Sequence, residues 1–231
     1  PALAGTAGGI TAAMLNGAKR GLFSNEAGMG SAPNAAATAT VDHPVKQGLV
    51  QSLGVFVDTI VICSATAFII LVAGPTVYSP GETSDSAGAS LTQQAVAASL
   101  GDWTTWLMTV LIFVFAFSSV LGNYSYAEVN LDFLGVKERG LTVFRVVVIL
   151  AVLAGSVVAL ESVWALADVA MGLMALVNLT AILLLGRWAF ALLADFERQR
   201  KAGRDPAFSV ATAEDLPGEV PGDVWAAHST A

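Results

Sequence analysis

The stretch Thr105–Gly122, TWLMTVLIFVFAFSSVLG, contains no charged side chain, and with its flanks the apolar run reaches from Thr104 to Ala127. A helix needs about 20 residues to cross a hydrocarbon core of roughly 30 Å. A run this long and this clean has no polar face to turn toward water, as a surface helix of a soluble domain has. Working outward, three more runs pass the same test: Gly48–Gly74, Leu141–Leu160 and Val163–Gly186, in which Asp58, Arg145 and Asp168 are the acidic or basic side chains. The expected fold class is all-α and integral to a membrane, with the lipid bilayer as its surroundings.

Composition agrees. Hydrophobic residues make up 55% of the chain and charged residues 13%, with a mean hydropathy of +0.68, whereas soluble domains carry about 25% charged residues. A net charge of −7 and a pI near 4.7 offer no basic surface, so no nucleic acid partner is expected. Cys63 is the only cysteine and lies in an apolar run, which excludes a disulfide framework and reads as packing. Nothing resembles a nucleophile–base triad, a metal-ligand cluster or a phosphate loop, and both histidines stand in polar segments. No enzyme, catalytic residue or organic cofactor is expected. The chain opens at Pro1 without a charged start and short apolar core, so no signal peptide is expected and the natural N-terminus should lie upstream.

The first forty residues read differently. Ala7–Asn16 has the pattern of a small-residue apolar helix, Lys19–Gly30 interrupts it, and Ala32–Thr40 resumes it. Gly21, Gly28, Gly30 and Pro33 do not sustain a regular helix, while Ser31 is placed to cap a second half with Pro33 in its first turn. On residues alone the interruption is either a helix broken within the membrane or an ordinary loop.

Lysine and arginine set the expected orientation. His43 and Lys46, then Lys137, Arg139 and Arg145, then Arg187, Arg198, Arg200, Lys201 and Arg204 mark three cytoplasmic regions. Residues 75–102 carry Glu82, Asp85 and Asp102 without Lys or Arg and are expected outside. There, Ser90-Leu91-Thr92-Gln93 has the form of a capping box and predicts a short helix to about Ser99, either a lid or a solvated connector. Residues 187–231 are expected to form a cytoplasmic tail. Lys19 and Arg20 fall near the break, where Glu26 is expected to neutralise Arg20, because an unpaired charge at membrane depth costs at least roughly 2.5–3.5 kcal/mol.

Polar groups within apolar spans are the candidates for function. At the break, Ser24, Asn25 and Glu26 accompany unwound backbone, whose N–H and C=O groups suit a zwitterion or a cation. Ser118 and Ser119 offer the oxygen ligands that hard cations prefer, although by themselves serines serve more often as small packing residues in membrane helices. Asn123 shares the face of Ser119. Asp58, Asp168 and Asn178 are further candidates, with a helix-to-helix hydrogen-bonding role favoured for Asp58 and Asn178.

The run Arg20-Gly21-Leu22-Phe23-Ser24-Asn25-Glu26-Ala27-Gly28-Met29-Gly30-Ser31-Ala32-Pro33-Asn34 strongly resembles the signature of the alanine/glycine:cation symporter family, the sodium:alanine symporters. The likeness continues through His43–Gly48, Val55–Thr59, Phe115–Glu128, Trp164–Asp168, Leu173–Ala175 and Asp205–Phe208, and so over essentially the whole chain. It implies one five-helix inverted repeat of a LeuT-type transporter fold, the C-terminal half, with the first helix (residues 1–40) broken. It also implies sodium- or proton-coupled uptake of alanine, glycine or another small amino acid by alternating access, in a plasma membrane; the acidic, alanine-rich loops point to a prokaryotic source. By resemblance, Phe23, Ser24, Asn25 and Ala27 line the substrate pocket with Ser119 at its edge, and Ser118 and Ser119 form part of a sodium site, sodium being the coupling ion. Asn123 departs from the family's tryptophan in Gly-Trp-Tyr and is expected to enlarge and polarise the pocket; Val177-Asn178 likewise stands where a Pro-Asn step is expected. The missing N-terminal repeat is the implied partner, supplying the acidic group for the substrate ammonium and half the cation site. Two other classes compete: a passive pore, for which no repeated filter or charged ring is present, and a non-transporting interaction module derived from such a transporter.

Overall fold

The structure, a computed structural model, describes residues 2–79, 88–210, 216–220, 222 and 225; the side chains of residues 2–7 and of Leu22 are not described. Glu82 and Asp85, expected in the external loop, and most of the chain beyond residue 210 lie outside the described residues. All regular structure among the described residues is helical: α1 (Ala2–Asn25), α2 (Ala32–Ala37), α3 (Pro44–Phe56), a π-helical segment (Val57–Cys63), α4 (Ser64–Val72), α5 (Gly88–Leu100), α6 (Thr104–Phe133), α7 (Glu138–Gly155) and α8 (Leu160–Lys201). Among the described residues, three continuous helices are long and apolar enough to cross a membrane: Pro44–Val72, Thr104–Phe133 and Leu160–Lys201.

The burial pattern is that of a membrane protein. Only Met29, Ala95, Ala175, Phe196 and Phe208 are buried hydrophobic side chains among the described residues, while Phe113, Phe115, Leu150, Leu176 and Leu183 are exposed. Each exposed leucine or phenylalanine would forfeit about 1.5–3 kcal/mol in water. Lipid or neighbouring helices are the surroundings in which such a surface is stable.

Helix ends depart from the sequence expectation in three places. The run Leu141–Leu160 is not one helix: α7 starts at Glu138 and stops at Gly155, and Leu160 already opens α8. Gly155 is a weak helix former, and the Ser156 hydroxyl donates to the Leu153 carbonyl at 2.7 Å, a local bond that competes with helix propagation. At the other end α8 does not stop at Gly186 but continues to Lys201, so residues 187–201 are helical. At about 1.5 Å per residue its 42 residues span roughly 60 Å, twice a hydrocarbon core. The helix of residues 75–102 begins at Gly88, before the expected cap at Ser90. Gln93 turns toward α6, its amide donating to the Thr105 carbonyl (3.0 Å) and to Thr109 Oγ1 (2.9 Å).

The chain forms two compact units, residues 1–55 with 171–231 and residues 56–170. In the first, the segment after α8 folds back instead of trailing away. The Phe208 N–H donates to the Asp42 carbonyl at 2.8 Å. Gln199 grips Ala207 at both backbone groups, accepting from its N–H and donating to its C=O, each at 3.0 Å. His43 is the centre of this junction and is fully buried. Its Nδ1 accepts the Val45 N–H at 3.2 Å and its Nε2 lies 3.5 Å from Asp195 Oδ2, so the neutral tautomer with the proton on Nε2 satisfies both nitrogens. The Phe196 and Phe208 rings stand edge-on to it, with centroids 5.2 and 5.7 Å away.

Burial lowers the His43 pKa below the usual 6.5, outweighing the hydrogen bond and charge of Asp195, which raise it. The imidazole is therefore neutral in the fold, and protonation favours the undocked chain. Its contribution is complete above pH 6.5 and declines as the pH falls below that value. In the full-length protein, His43→Ala is expected to lower stability by ~3 kcal/mol, from lost packing and an abandoned buried partner. His43→Asn should remove the part of the acid sensitivity that lies just below pH 6.5. Thermal melts of the purified protein at pH 7.5 and 5.5, native beside variant, check both; equal pH shifts would contradict the assignment.

Candidate functional site: the interrupted helix and the hydroxyl pair

The break is shorter than the sequence suggests. Helix α1 absorbs Lys19 to Asn25, and only Glu26–Ser31 is unwound. Three left-handed residues make the break: Glu26 (φ 52°), Gly28 (φ 80°) and Gly30 (φ 101°). A glutamate at positive φ is uncommon and places backbone strain at this point.

Each turn of the break has an identified tether. The Met29 N–H donates to the Glu26 carbonyl at 3.2 Å, and the Met29 side chain is buried. Asn178 of α8 donates its amide N–H to the Gly28 carbonyl at 3.1 Å. Gln51 of α3 donates to the Ala32 carbonyl at 3.1 Å, and Asn34 reaches the Gly30 carbonyl at 3.4 Å. Ser31 does not cap α2 as expected: its own backbone is already helical (φ −76°, ψ −42°) and its side chain makes no cap bond. A capping residue needs extended backbone to aim its oxygen at the following N–H groups, and the Ser31 Oγ is instead buried without a hydrogen-bond partner among the described residues.

The predicted substrate residues fall on this segment. Phe23, Ser24 and Asn25 occupy the last turn of α1 and Ala27 the break; Phe23, Ser24 and Ala27 are exposed, and Asn25 and Glu26 are half-buried. Arg20 lies exposed one turn earlier. A helix C-terminus leaves its last four carbonyls without intrahelical partners and carries partial negative charge, which suits an ammonium or a metal cation.

Ser118, Ser119 and Asn123 belong to α6, in the other unit. Both hydroxyls donate to the Phe115 carbonyl at 2.9 Å, and the Asn123 amide donates to the Ser119 carbonyl at 2.9 Å. With their protons committed to the backbone, the two Oγ atoms present lone pairs alone, the form a cation ligand takes. Ser119 and Asn123 line a hollow of about 400 Å³ between α6 and α7, together with Tyr124, Phe144, Val148 and Ala151. Tyr124 of its lining belongs to a polar triad that the sequence does not announce. Tyr124 donates to Glu128 Oε1 at 3.0 Å, and Arg145 of α7 donates to the Tyr124 hydroxyl at 2.9 Å and to Glu128 at 3.2 Å. Arg145, singled out as a charge within an apolar run, thus has its partners on α6.

Residues 2–210 match the model of the sodium:alanine symporter family. The chain belongs to this family. A sodium:alanine symporter family member is a transporter embedded in a membrane and not an enzyme, in keeping with the exposed apolar helices. Among curated proteins, the chain is 48% identical over 201 residues to a probable sodium/glutamine symporter, GlnT, of Bacillus subtilis, covering 87% of this chain and 41% of that protein. It is 48% identical over 218 residues to the amino-acid carrier protein AlsT of the same organism, covering 94% and 45%. It is 42% identical over 176 residues to the sodium/alanine symporter AgcS of Methanococcus maripaludis, covering 76% and 38%. The symporter-family chain therefore spans a little under half the length of these relatives. No solved structure matches it.

Proposed function

We propose that the protein to which this chain belongs couples sodium entry to uptake of a small amino acid by alternating access, and that this chain is the second five-helix repeat of a LeuT-type transporter. The observation that carries the reading is the small-residue helix α1 interrupted at Glu26–Ser31 by three residues at positive φ, within a chain matched to a symporter family along nearly its whole length. Irregular backbone at membrane depth is tolerated where it lines a cavity, and broken helices form the substrate sites of transporters.

In this reading Phe23, Ser24, Asn25 and Ala27 contact the amino acid, whose ammonium meets the carbonyl end of α1. For Ser119 and Asn123 the family likeness implies substrate contacts as well, and Ser118 and Ser119 supply hydroxyl oxygens to sodium. The preceding repeat supplies the remaining ligands, and the C-terminus is cytoplasmic, where Arg198, Arg200, Lys201 and Arg204 cluster. Arg20 and Glu26 form an ion pair beside the break. A charge exchange, Arg20→Glu with Glu26→Arg, is expected to recover uptake lost in either single variant; no recovery would count against the pair.

The relatives are named for glutamine as well as alanine, which agrees with a pocket enlarged and polarised at Asn123. The test is uptake of radiolabelled alanine, glycine, glutamine and larger amino acids into vesicles holding the full-length protein, with and without a sodium gradient. Sodium-driven accumulation supports the reading, and Asn123→Trp should then narrow selection toward alanine and glycine. Absence of gradient-driven accumulation for every amino acid would refute it.

A further inference from the structure

We infer that Asn178 is a positioning residue for transport: its amide holds the unwound segment in the conformation that binds the amino acid. The inference rests on the symport reading above. Asn178 is the polar residue in the turn Leu176-Val177-Asn178-Leu179 of α8, and it is half-buried. Its Nδ2–H donates to the Gly28 carbonyl at 3.1 Å. The same side chain also packs on Gly30, where a Cβ would lie 3.0 Å from Asn178 Cβ, 3.2 Å from its Cγ and 3.4 Å from its Oδ1. One amide therefore touches both left-handed glycines of the break.

The geometry explains why an amide stands there. The peptide between Gly28 and Met29 is fixed at both ends, its carbonyl by Asn178 and its N–H by the Glu26 carbonyl. Glycines at positive φ give the chain its turn but are the least restrained residues in it. Fixing the backbone of one residue costs about 1–2 kcal/mol of conformational entropy. If ligand binding had to order Ala27–Gly30, that cost would weaken the affinity; a segment already ordered by Asn178 spares it. An apolar side chain of similar size would fill the space and leave the Gly28 carbonyl without its donor.

The test uses the full-length protein in vesicles, with sodium-driven amino acid uptake measured for native, Asn178→Leu and Asn178→Asp. Leucine keeps approximate volume, and aspartate keeps the shape but replaces the donor by an oxygen facing the Gly28 carbonyl. KM for the amino acid is expected to rise at least ten-fold in both, with saturating rate per inserted molecule changed less than three-fold. Hydrogen exchange of the peptide covering Glu26–Ser31 should accelerate in both. A residue serving only helix packing would lower the amount of inserted protein, and hence total rate, with KM and exchange unchanged, and that result overturns the proposal. Loss of protein does not obscure the outcome, because KM is read on the inserted fraction. Native protein with no sodium-driven uptake would overturn the symport reading and this proposal together.

Discussion

Gly30→Ala is expected to reduce sodium-driven uptake by the full-length protein at least ten-fold. Gly30 sits at φ 101°, a left-handed backbone that residues with a Cβ rarely adopt, and strain of that kind costs about 1–3 kcal/mol. The added methyl would also meet the Asn178 Cβ at 3.0 Å, closer than carbon atoms pack. Either the break moves or α8 gives way at Asn178, and both outcomes release the Gly28 carbonyl. The double variant Gly30→Ala with Asn178→Ala relieves the contact and leaves the backbone strain, so it should recover little. Gly17→Ala is the control: that glycine lies within α1 with nothing near its would-be Cβ, and alanine in a helix is favoured over glycine by roughly 0.5–1 kcal/mol. Initial uptake rates normalised to inserted protein decide the matter. Equal rates for Gly30→Ala and Gly17→Ala would show that the break has no part in transport.

The second large effect concerns the coupling ion. Replacing Ser118 and Ser119 together by alanine should raise the sodium concentration for half-maximal uptake at least ten-fold, while Ser→Thr at both positions should leave it near native. Each hydroxyl proton is already given to the Phe115 carbonyl, so the alanine variant loses two oxygens with free lone pairs and those two local backbone bonds; alanine is also the better helix former. Threonine retains the oxygen and makes the same backbone bond. Uptake measured across a sodium series distinguishes ligands from packing residues. An unchanged sodium dependence in the alanine pair returns Ser118 and Ser119 to the packing role that their residue type alone suggests.

What the sequence disclosed follows from the range of each interaction. The apolar runs and the glycines near residue 28 act locally, so helices α3 to α6 and an interruption in the first forty residues are legible from composition and spacing, while reading that interruption as a break within a helix rests on the family resemblance. The extent of the break is not legible, because helix α1 persists through Gly21 to Asn25 where propensity alone would end it. Three arrangements depend on residues far apart and leave no local signal: Asn178 on the Gly28 carbonyl, Arg145 on Tyr124 and Glu128, and Asp195 with His43. Arg145 and Asn178 stand out in the sequence as polar side chains in apolar runs, but their partners do not; Asp195 and Gln199 are two polar residues four apart on one helical face, bonded at 2.8 Å. The docking of the segment after α8 is hidden for a related reason. Nothing within Asp205–Phe208 itself shows that it folds back; His43 and Gln199, far away in sequence, lie beside it, and Pro206 and Phe208 are buried.

Reciprocity gives the most direct test of the central claim. If amino acid and sodium stabilise one another's binding, then each must drive the other. An inward gradient of alanine or glutamine, imposed on vesicles containing the full-length protein at equal sodium on both sides, is predicted to draw radioactive sodium inward above its equilibrium level. The double replacement Ser118→Ala with Ser119→Ala should abolish that accumulation. Amino acid entry that moves no sodium, in native protein, would contradict the account and leave an uncoupled pathway in its place.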